Sequence, residues 1–444
     1  MASTTRSIPS ATADAVVAAI LLAVGSSIRG DLLFLLGLPL TLYGFAIALR
    51  GAMAARGMTG ETTADQWQRR FAFWLSVAAA AGIGISTLNL PLWYEIARRT
   101  YSVAGIIVVG VWSAGPSRTS RRLVLGLLVA ATFLHVLAPF ALPEPLIDVW
   151  WWTETAVRAL IHGVNPYLVQ APDMQNGAFN YGYDLRVYPY TPATLLAFAP
   201  AVYLFGDYRF LLAICLPATV WFVRATGRRL QTDAHLVDAV TLAILLNPRS
   251  LWFTAFGWGE SLLVLIAAVF VYAFVRAPEG AGQAVAFFLL PALKQYFAVP
   301  VILYLTTKPP RPARWALVAG LAVGAATIAP FALWNPAAML DGIVFQMREL
   351  REPRVDSDSI VAFLGAVGFA PISRWWSVVA QFVVGAVAYW RLHHLGVAGL
   401  LLASGLSLTA TFLIGWQAFF NYYYLVEMLM LLGAVALAGP GGPV

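Results

Sequence analysis

A chain of 444 residues with one cysteine and two lysines lacks several kinds of chemistry from the outset. Cys215 has no second thiol with which to form a disulfide or build a multi-thiolate metal site, and a lone thiol in an apolar run leaves the redox compartment open. Lys294 and Lys308 are the only lysines, so the net charge of +7 is carried by arginines. Those arginines cluster in short connections and form no stripe able to track a phosphate backbone, which argues against a nucleic-acid partner. Charge of both signs is scarce, at 11% of residues against 60% hydrophobic, and so little polar surface cannot clothe a water-soluble protein of this length. Residues 1–14 show no small-residue cleavage site behind a short apolar core, so the first apolar segment is expected to stay as a helix. There is no convincing internal repeat, and no soluble stretch long enough to fold by itself.

What fills the chain is a succession of apolar runs of membrane-spanning length. Residues 15–28, 32–49, 71–88, 101–114 and 123–142 precede a long polar stretch, and 192–223, 236–256, 261–275, 315–333, 375–390, 396–414 and 424–438 follow it. The expected fold is an all-α polytopic integral membrane protein with about twelve transmembrane helices, one re-entrant element and one helix on the outer surface. Cytoplasmic connections are enriched in arginine. Arg50, Arg56, Arg69 and Arg70, then Arg118, Arg121 and Arg122, then Arg224, Arg228 and Arg229, then Arg276 and Arg391 therefore put both termini in the cytoplasm and the 143–191 loop outside the cell membrane. Arg29 and the pair Arg98-Arg99 fall outside in this scheme, against the rule. Gly206-Asp207-Tyr208-Arg209 interrupts the 192–223 run and offers a place to split it in two.

The stretch 284–305 is broken by Pro291, Lys294 and Pro300 and lies between Arg276 and a second basic cluster, Lys308, Arg311 and Arg314. Two half-helices meeting near Lys294 and re-entering from one side keep both clusters cytoplasmic. Residues 360–370 are too short to cross. The expected organisation is thus N-terminal transmembrane helices over 1–142, an outer loop with a surface helix over 143–191, and further transmembrane helices with the re-entrant segment over 192–444.

Function is sought first in 147–192, the longest segment too polar for hydrocarbon, because long connections and ionisable groups in membrane proteins usually serve a purpose. It holds Asp148, Trp150-Trp151-Trp152, Asn165-Pro166-Tyr167 and Tyr188-Pro189-Tyr190-Thr191-Pro192. Val149, Trp152, Ala156, Val157 and Leu160 recur at helical spacing and stop before Gly163, a residue suited to the left-handed turn past a helix end. The spacing predicts an amphipathic helix on the outer membrane surface, its indoles in the headgroup layer and Asp148 at the depth of lipid phosphates. Taken alone, Asp148 reads as a helix N-cap.

Together with Ala159-Leu160, Gly163 and Leu195-Leu196, these motifs resemble the signature of the GT-C glycosyltransferases. Within that class they are most similar to the polyprenyl-phosphate-mannose-dependent α-mannosyltransferases. Members carry an aspartate at the end of an early transmembrane helix, a Gly-x-Asn-Pro-Tyr-like turn and a Tyr-Pro-Pro-like start to the next span. Here Thr191 interrupts the double proline, and several spans precede the aspartate. Gly257-Trp258-Gly259-Glu260-Ser261 resembles the Gly-Gln-x-Asp/Asn outer turn, with Glu260 where an amide is common. Leu293-Lys294 and Phe420-Asn421-Tyr422-Tyr423-Tyr424 extend the likeness more faintly. The resemblance covers 148–305. It implies an inverting glycosyltransferase at the outer face that moves a sugar, mannose by first choice, from a polyprenyl-phosphate donor to a hydroxyl of a glycolipid or glycan acceptor. The lipid bilayer is its medium and no cofactor is implied. Asp148 would be the general base; the resemblance, not the spacing, gives it that role.

Transfer from a lipid phosphate needs one base and one charge stabiliser, whereas a glycosidase needs two carboxylates flanking the bond. Arg158 and Arg186 are the only arginines of the loop, and with Lys294 they are the candidates to hold the departing phosphate. For Arg158 an intrahelical pair with Glu154, four residues earlier, weighs more; Arg186 lies near Tyr183, Tyr188 and Tyr190. The substrate-binding candidates are Glu260, Tyr188, Tyr190, Asn165, Tyr167, Asn421 and Tyr422. Glu260 has an equal alternative as a solvated acid at a helix start. Trp416-Gln417 and Asn421-Tyr422 have one as interfacial anchors. Lys294 has no nearby acid in sequence and is expected to face a cavity or a partner. His162 is expected to cap helix carbonyls, and Asp173 and Asp184 to be ordinary loop acids. Asp341, Glu349, Glu352, Asp356 and Asp358 are interleaved with Arg348, Arg351 and Arg354, which favours charge pairing over a metal site, and no metal is expected. The rival reading is a membrane transporter or lipid flippase, whose coupling acids would sit inside spans. In this scheme only Asp207 falls mid-run, beside Arg209. A non-catalytic scaffold is the third reading, for which Asp148 in its context is an odd feature.

Overall fold

The computed structural model describes residues 7–28, 33–54, 61–85, 90–145, 147–170, 187–306, 314–345, 353–354 and 356–439. Among them the chain is helical apart from one short antiparallel ladder, Ile8–Pro9 against Glu61–Thr62. The first helices are α1 (Ser10–Ser27), α2 (Leu38–Ala54), α3 (Ala64–Gly84), α4 (Leu92–Ser113) and α5 (Arg118–Ala141). The middle third contains α6 (Asp148–Ile161), α7 (Pro192–Phe205), α8 (Arg209–Arg229), α9 (Ala234–Leu245), α10 (Ser250–Ala255), α11 (Glu260–Arg276), α12 (Ala281–Leu293) and α13 (Ala298–Thr306). Then follow α14 (Arg314–Trp334), α15 (Pro336–Leu340), α16 (Ile360–Ala366), α17 (Trp375–Leu392), α18 (Gly396–Leu413) and α19 (Phe420–Leu437). Seven helical stretches among the described residues are long and apolar enough to cross a membrane, which makes this a membrane protein. One of them, Trp375–Leu413, is α17 and α18 folded back on each other, with the Ser407 hydroxyl donating to the Gln381 carbonyl at 2.8 Å.

A helix that is apolar on every side belongs either inside a bundle or in lipid. α1 and α19 take the first place, with 89% and 94% of their apolar windows buried, and α14 takes the second, with 22%. α1 packs on α2, α3 and α19, and α18 on α17 and α19, so α1, α18 and α19 form the central layer. Small residues permit the closest crossings: at Gly320 of α14 a Cβ would run into the Ala284 backbone and the Phe288 ring of α12.

Several apolar runs break where backbone chemistry dictates. The 192–223 run is two helices, because Gly206 adopts φ +78° and ends α7 before α8 starts at Arg209. The 236–256 run is divided into α9 and α10 at Asn247-Pro248, where the Asn247 side chain accepts from Arg249 N at 2.9 Å. The 284–305 stretch divides at Lys294, which is extended, into α12 and α13. These two halves fold back: the Tyr304 hydroxyl donates to Gln283 Oε1 at 2.7 Å, and Phe287 lies 4.4 Å from the Tyr304 ring. Arg98 and Arg99, out of place by the charge rule, are both paired with Glu95, at 2.8 and 3.4 Å, and Arg98 also donates to the Gly82 and Ile85 carbonyls. One of their two charges is thus offset locally.

The expectation for the tryptophan triplet needs correcting. Trp150 and Trp152 are buried in protein and Trp151 is half-buried, because the apolar stripe of α6 packs on α7 and its surroundings instead of lying open to a headgroup layer. Trp150 fits beside Gly257, where φ is +73° and the Tyr208 hydroxyl, donating to the Gly257 carbonyl at 2.8 Å, fills the space of a Cβ. Gly257→Ala is therefore expected to lower stability by more than about 1 kcal/mol, read as a reduced melting temperature of the detergent-solubilised protein. An unchanged melt would show that the turn before Glu260 tolerates a side chain.

Candidate functional site

Asp148 opens α6, but not as its cap: Ile147 is the extended N-cap residue, and Asp148 is the first helical residue. Its Oδ1 accepts from Val149 N at 2.7 Å, and the residue is half-buried. Burial raises the Asp148 carboxyl above its ordinary value, while the Val149 N–H and the Arg354 charge pull it back down. Arg354 reaches this position from the segment before α16. Its guanidinium is bonded to Asp356 through Nε and Nη2 at 2.9 and 2.7 Å, lies 4.7 Å over the Phe419 ring, and its backbone N donates to the Trp416 carbonyl at 3.1 Å. The charge pairing expected for this acidic and basic stretch is present in that pair, and it also brings a cation within electrostatic reach of Asp148.

A second cluster meets the first at Tyr190. Glu260, at the start of α11, is fully buried, which removes the reading of a solvated acid. Its Oε1 lies 3.3 Å from Lys294 Nζ and accepts from Asn421 Nδ2 at 3.1 Å. Lys294 therefore has an acid partner that sequence proximity could not show. Its ammonium also sits 3.7 Å over the Tyr190 ring. Each charge is favoured by its own helix, the acid at an N-terminus and the cation at the C-terminus of α12. The Leu293 carbonyl at that C-terminus accepts from the Thr194 hydroxyl of α7 at 3.0 Å. Tyr190 is held neutral well above the ordinary tyrosine range, first by burial, then by Tyr422 and by the carboxylates of Asp148 and Glu260. One phenol thus lies within electrostatic reach of both acids.

The turns that deliver the two acids are tied together by Arg209. This fully buried guanidinium donates through Nη1 to the Leu142 and Ala255 carbonyls at 2.6 and 2.7 Å and through Nη2 to the Pro143 carbonyl at 2.9 Å. Nε and Nη2 also hold Asp207, the closest contact being 2.6 Å, and the Trp150 ring lies 5.4 Å away. Leu142-Pro143 leads into Asp148, and Ala255 leads into Glu260. A third tie comes from α2: Thr41 Oγ1 donates to Asp358 Oδ2 at 2.8 Å, while Asp358 N and the Tyr423 hydroxyl complete a seam against Ala418 and α19.

Not every expected site residue joins this centre. Arg158 is spent on Glu154 at 2.6 Å and on the Gly206 carbonyl at 2.7 Å, and His162 Nδ1 lies 2.8 Å from the Arg158 carbonyl. Asn165 folds its own turn, its Oδ1 accepting from Tyr167 N at 3.0 Å, and the Tyr167 hydroxyl donates to the Tyr190 carbonyl at 2.7 Å. Tyr167, Tyr188 and Tyr190 form a ladder of rings 5.9 and 5.4 Å apart, so the first two support the third. Tyr422 stacks on Phe412 at 5.1 Å and meets Tyr296 edge-on at 5.8 Å. Asp341 is exposed. Arg186, Tyr183, Asp173, Asp184, Arg348, Glu349, Arg351 and Glu352 lie outside the described residues. Three participants were not singled out by the sequence: Arg354 for Asp148, Arg209 as the tie, and Tyr296, whose hydroxyl lies beside the Glu260 carboxylate. Only Tyr296 leaves a sequence signal, a polar Gln295-Tyr296 step at the break of an apolar stretch. Among the described residues no group of three His, Cys, Asp or Glu side chains converges as metal ligands would. Compared with models of known protein families, with curated proteins and with solved structures, the chain matches none.

Two expectations test this geometry. Arg209→Lys keeps a charge but cannot reach the separate carbonyls at once, and should cost about 3 kcal/mol in chemical denaturation; an unchanged midpoint would show the tie to be dispensable. Burial also pushes the Glu154 carboxyl up to about 7, against the pull of Arg158. An acid raised in this way binds its proton more tightly when folded, so its contribution to stability falls as pH rises from the ordinary 4.5 to about 7. Glu154→Gln should flatten that slope in a series of melts across pH, and an unaltered slope would reassign it.

Proposed function

We propose that this protein is a polytopic glycosyltransferase of GT-C type with about twelve spans. It transfers a sugar, mannose by first choice, from a polyprenyl-phosphate donor to an acceptor hydroxyl at the outer membrane face. The observation that carries this reading is a half-buried carboxylate, Asp148, sharing Tyr190 with a buried Glu260–Lys294 pair at the helix end where the polar loop returns. In the reaction the acceptor O–H gives its proton to Asp148 as its oxygen bonds to the anomeric carbon. The bond from that carbon to the phosphate oxygen breaks, and its electron pair leaves with the phosphate. Val149 N–H holds Oδ1, which leaves Oδ2 to take the proton. Arg354, Lys294 and Arg186 are the cations offered to the developing phosphate charge, the first two while paired with Asp356 and Glu260; Arg158 is held by Glu154 and the Gly206 carbonyl.

Asp148→Asn should lower transfer from labelled polyprenyl-phosphate sugars about a hundredfold to ten-thousandfold while leaving donor binding intact. Turnover equal to the parent would remove Asp148 as the base. Because burial favours the protonated acid, the rising limb of activity with pH should lie above the ordinary aspartate value of 3.8, and a limb at or below that value would contradict the assignment.

One observation favours the transporter reading. Glu427, in the middle of α19, is fully buried, and Oε2 accepts from Asn247 Nδ2 at 2.6 Å. The sequence scheme, which saw only Asp207 inside a run, passed over this acid. Proton- or sodium-coupled flux in proteoliposomes that is lost in Glu427→Gln would support transport.

A further inference from the structure

Three neighbouring helices carry arginine at the same end of the bundle, beyond rings or apolar side chains that face outward. α8 packs against both α5 and α11. On α8, Ile214 and Trp221 are 56% and 53% exposed, and Arg228 is exposed as well. Residues seven apart fall on one helix face, so Arg228 stands over Trp221, about 10 Å farther along the axis. On α5, Arg118 and Arg122 precede the exposed Leu125, Val129, Phe133, Val136 and Phe140 at helical spacing. Phe140 meets Phe210 of α8 at 5.4 Å, which sets the two helices antiparallel and puts Arg118 and Arg122 at the Arg228 end. On α11, Arg276 is one turn past Tyr272, whose ring lies 5.9 Å from Trp221 and 5.5 Å from Phe222.

The arginines of this rim lack acids to balance them. Among the described residues none of Arg118, Arg122, Arg228, Arg229 and Arg276 forms an ion pair, because the acids at this end are engaged elsewhere or point away. Asp238 pairs with Arg224 at 2.6 Å, and Asp233 caps α9 by accepting from His235 N and Leu236 N at 2.8 and 3.2 Å. Glu279 is exposed and pairs with none of them. Arg229 Nη2 donates to the Arg276 carbonyl at 3.5 Å, which draws two like charges together. Arg118 and Arg122 lie at the start of α5, where the helix dipole is already positive and the first turn holds no acid. Such a rim calls for an anion, and guanidinium forks suit a phosphate. The rings tell where that anion comes from. Indole and phenol a turn or two inside a charged rim mark the boundary between hydrocarbon and headgroups, so the phosphate at the rim is that of a lipid whose chains lie on the apolar stripes.

We infer that this wall binds an anionic phospholipid of the surrounding bilayer, its phosphate among Arg228, Arg229 and Arg276 and an acyl chain along Trp221 and Ile214. A headgroup without an ammonium leaves the phosphate charge free for the arginines, so an anionic lipid is preferred to a zwitterionic one. The full length of α5 separates this rim from the turn that leads into Asp148, and the inference is independent of the transferase reading.

The test is tryptophan fluorescence of the full chain in a nonionic detergent, titrated with phosphatidylglycerol or phosphatidylcholine brominated on the acyl chains. Phosphatidylglycerol should quench at the lower mole fraction, and Trp221→Phe should remove that early quenching. Arg228→Gln, Arg229→Gln and Arg276→Gln combined should raise the half-quenching mole fraction of phosphatidylglycerol about fivefold for each arginine removed, with the phosphatidylcholine curve in place. Arg228→Gln alone should give a single step of about fivefold, a reading that survives if the triple variant fails to fold. Arg99→Gln removes a charge at the opposite end of the bundle and should move neither curve. Equal half-quenching by the two lipids in the parent, early quenching that persists in Trp221→Phe, or a phosphatidylglycerol curve unmoved by Arg228→Gln overturns the site. An equal shift in Arg99→Gln would reduce the effect to net charge and overturn it too. Inorganic phosphate that displaces phosphatidylglycerol from the parent, where chloride of equal ionic strength does not, would make this a site for a free anion and overturn the lipid assignment.

Discussion

A guanidinium taken wholly out of water is costly unless each of its donors finds an acceptor, and Arg209 is such a group. Its acceptors are well chosen physically. Leu142 follows the last residue of α5 and Ala255 is the last residue of α10, so the carbonyls it collects belong to helix ends, which carry partial negative charge and lack an intrahelical partner. One cation thereby satisfies two helix termini and the adjoining Pro143 carbonyl, and Asp207 balances its charge. The separation of Asp148 from Glu260 follows from that arrangement, because each acid opens a helix a few residues beyond a carbonyl that Arg209 holds.

The two acids are then treated differently by their surroundings. Glu260 is fully buried at a helix N-terminus, beside a cation and an amide. Asp148 has one N–H and the more distant Arg354, already bonded to Asp356. Burial raises the proton affinity of Asp148, the condition that a general base would need under the proposed mechanism. Tyr190 lies within electrostatic reach of both acids, and Tyr296 beside Glu260.

Much of the architecture was legible because it is local. Apolar runs gave the helices, Pro291 and Lys294 marked the break between α12 and α13, and Gly206 marked a break that the structure realises. The tryptophan triplet misled because an apolar stripe has the same period whether it meets lipid or protein, and only the tertiary partner, α7, decides. Asp148 and Glu260 were each visible as acids in a telling context, yet their convergence on Tyr190 was not, since contacts far apart in sequence leave no periodic trace. The same holds for Lys294 with Glu260 and for Arg354 with Asp148. Glu427 was hidden for a plainer reason: one acid barely lowers the hydropathy of the run that contains it.

α1 has a consequence for how the molecule is made. It is the first helix of the chain, yet it lies in the central layer and packs on α19, the last. Arg249 reaches back to its end as well, donating to the Ser27 carbonyl at 2.6 Å. α2 and α3, which follow it directly, cover part of the apolar surface of α1, but the remainder is covered only once α19 has packed against it. A defect in either α1 or α19 would bare the same apolar seam.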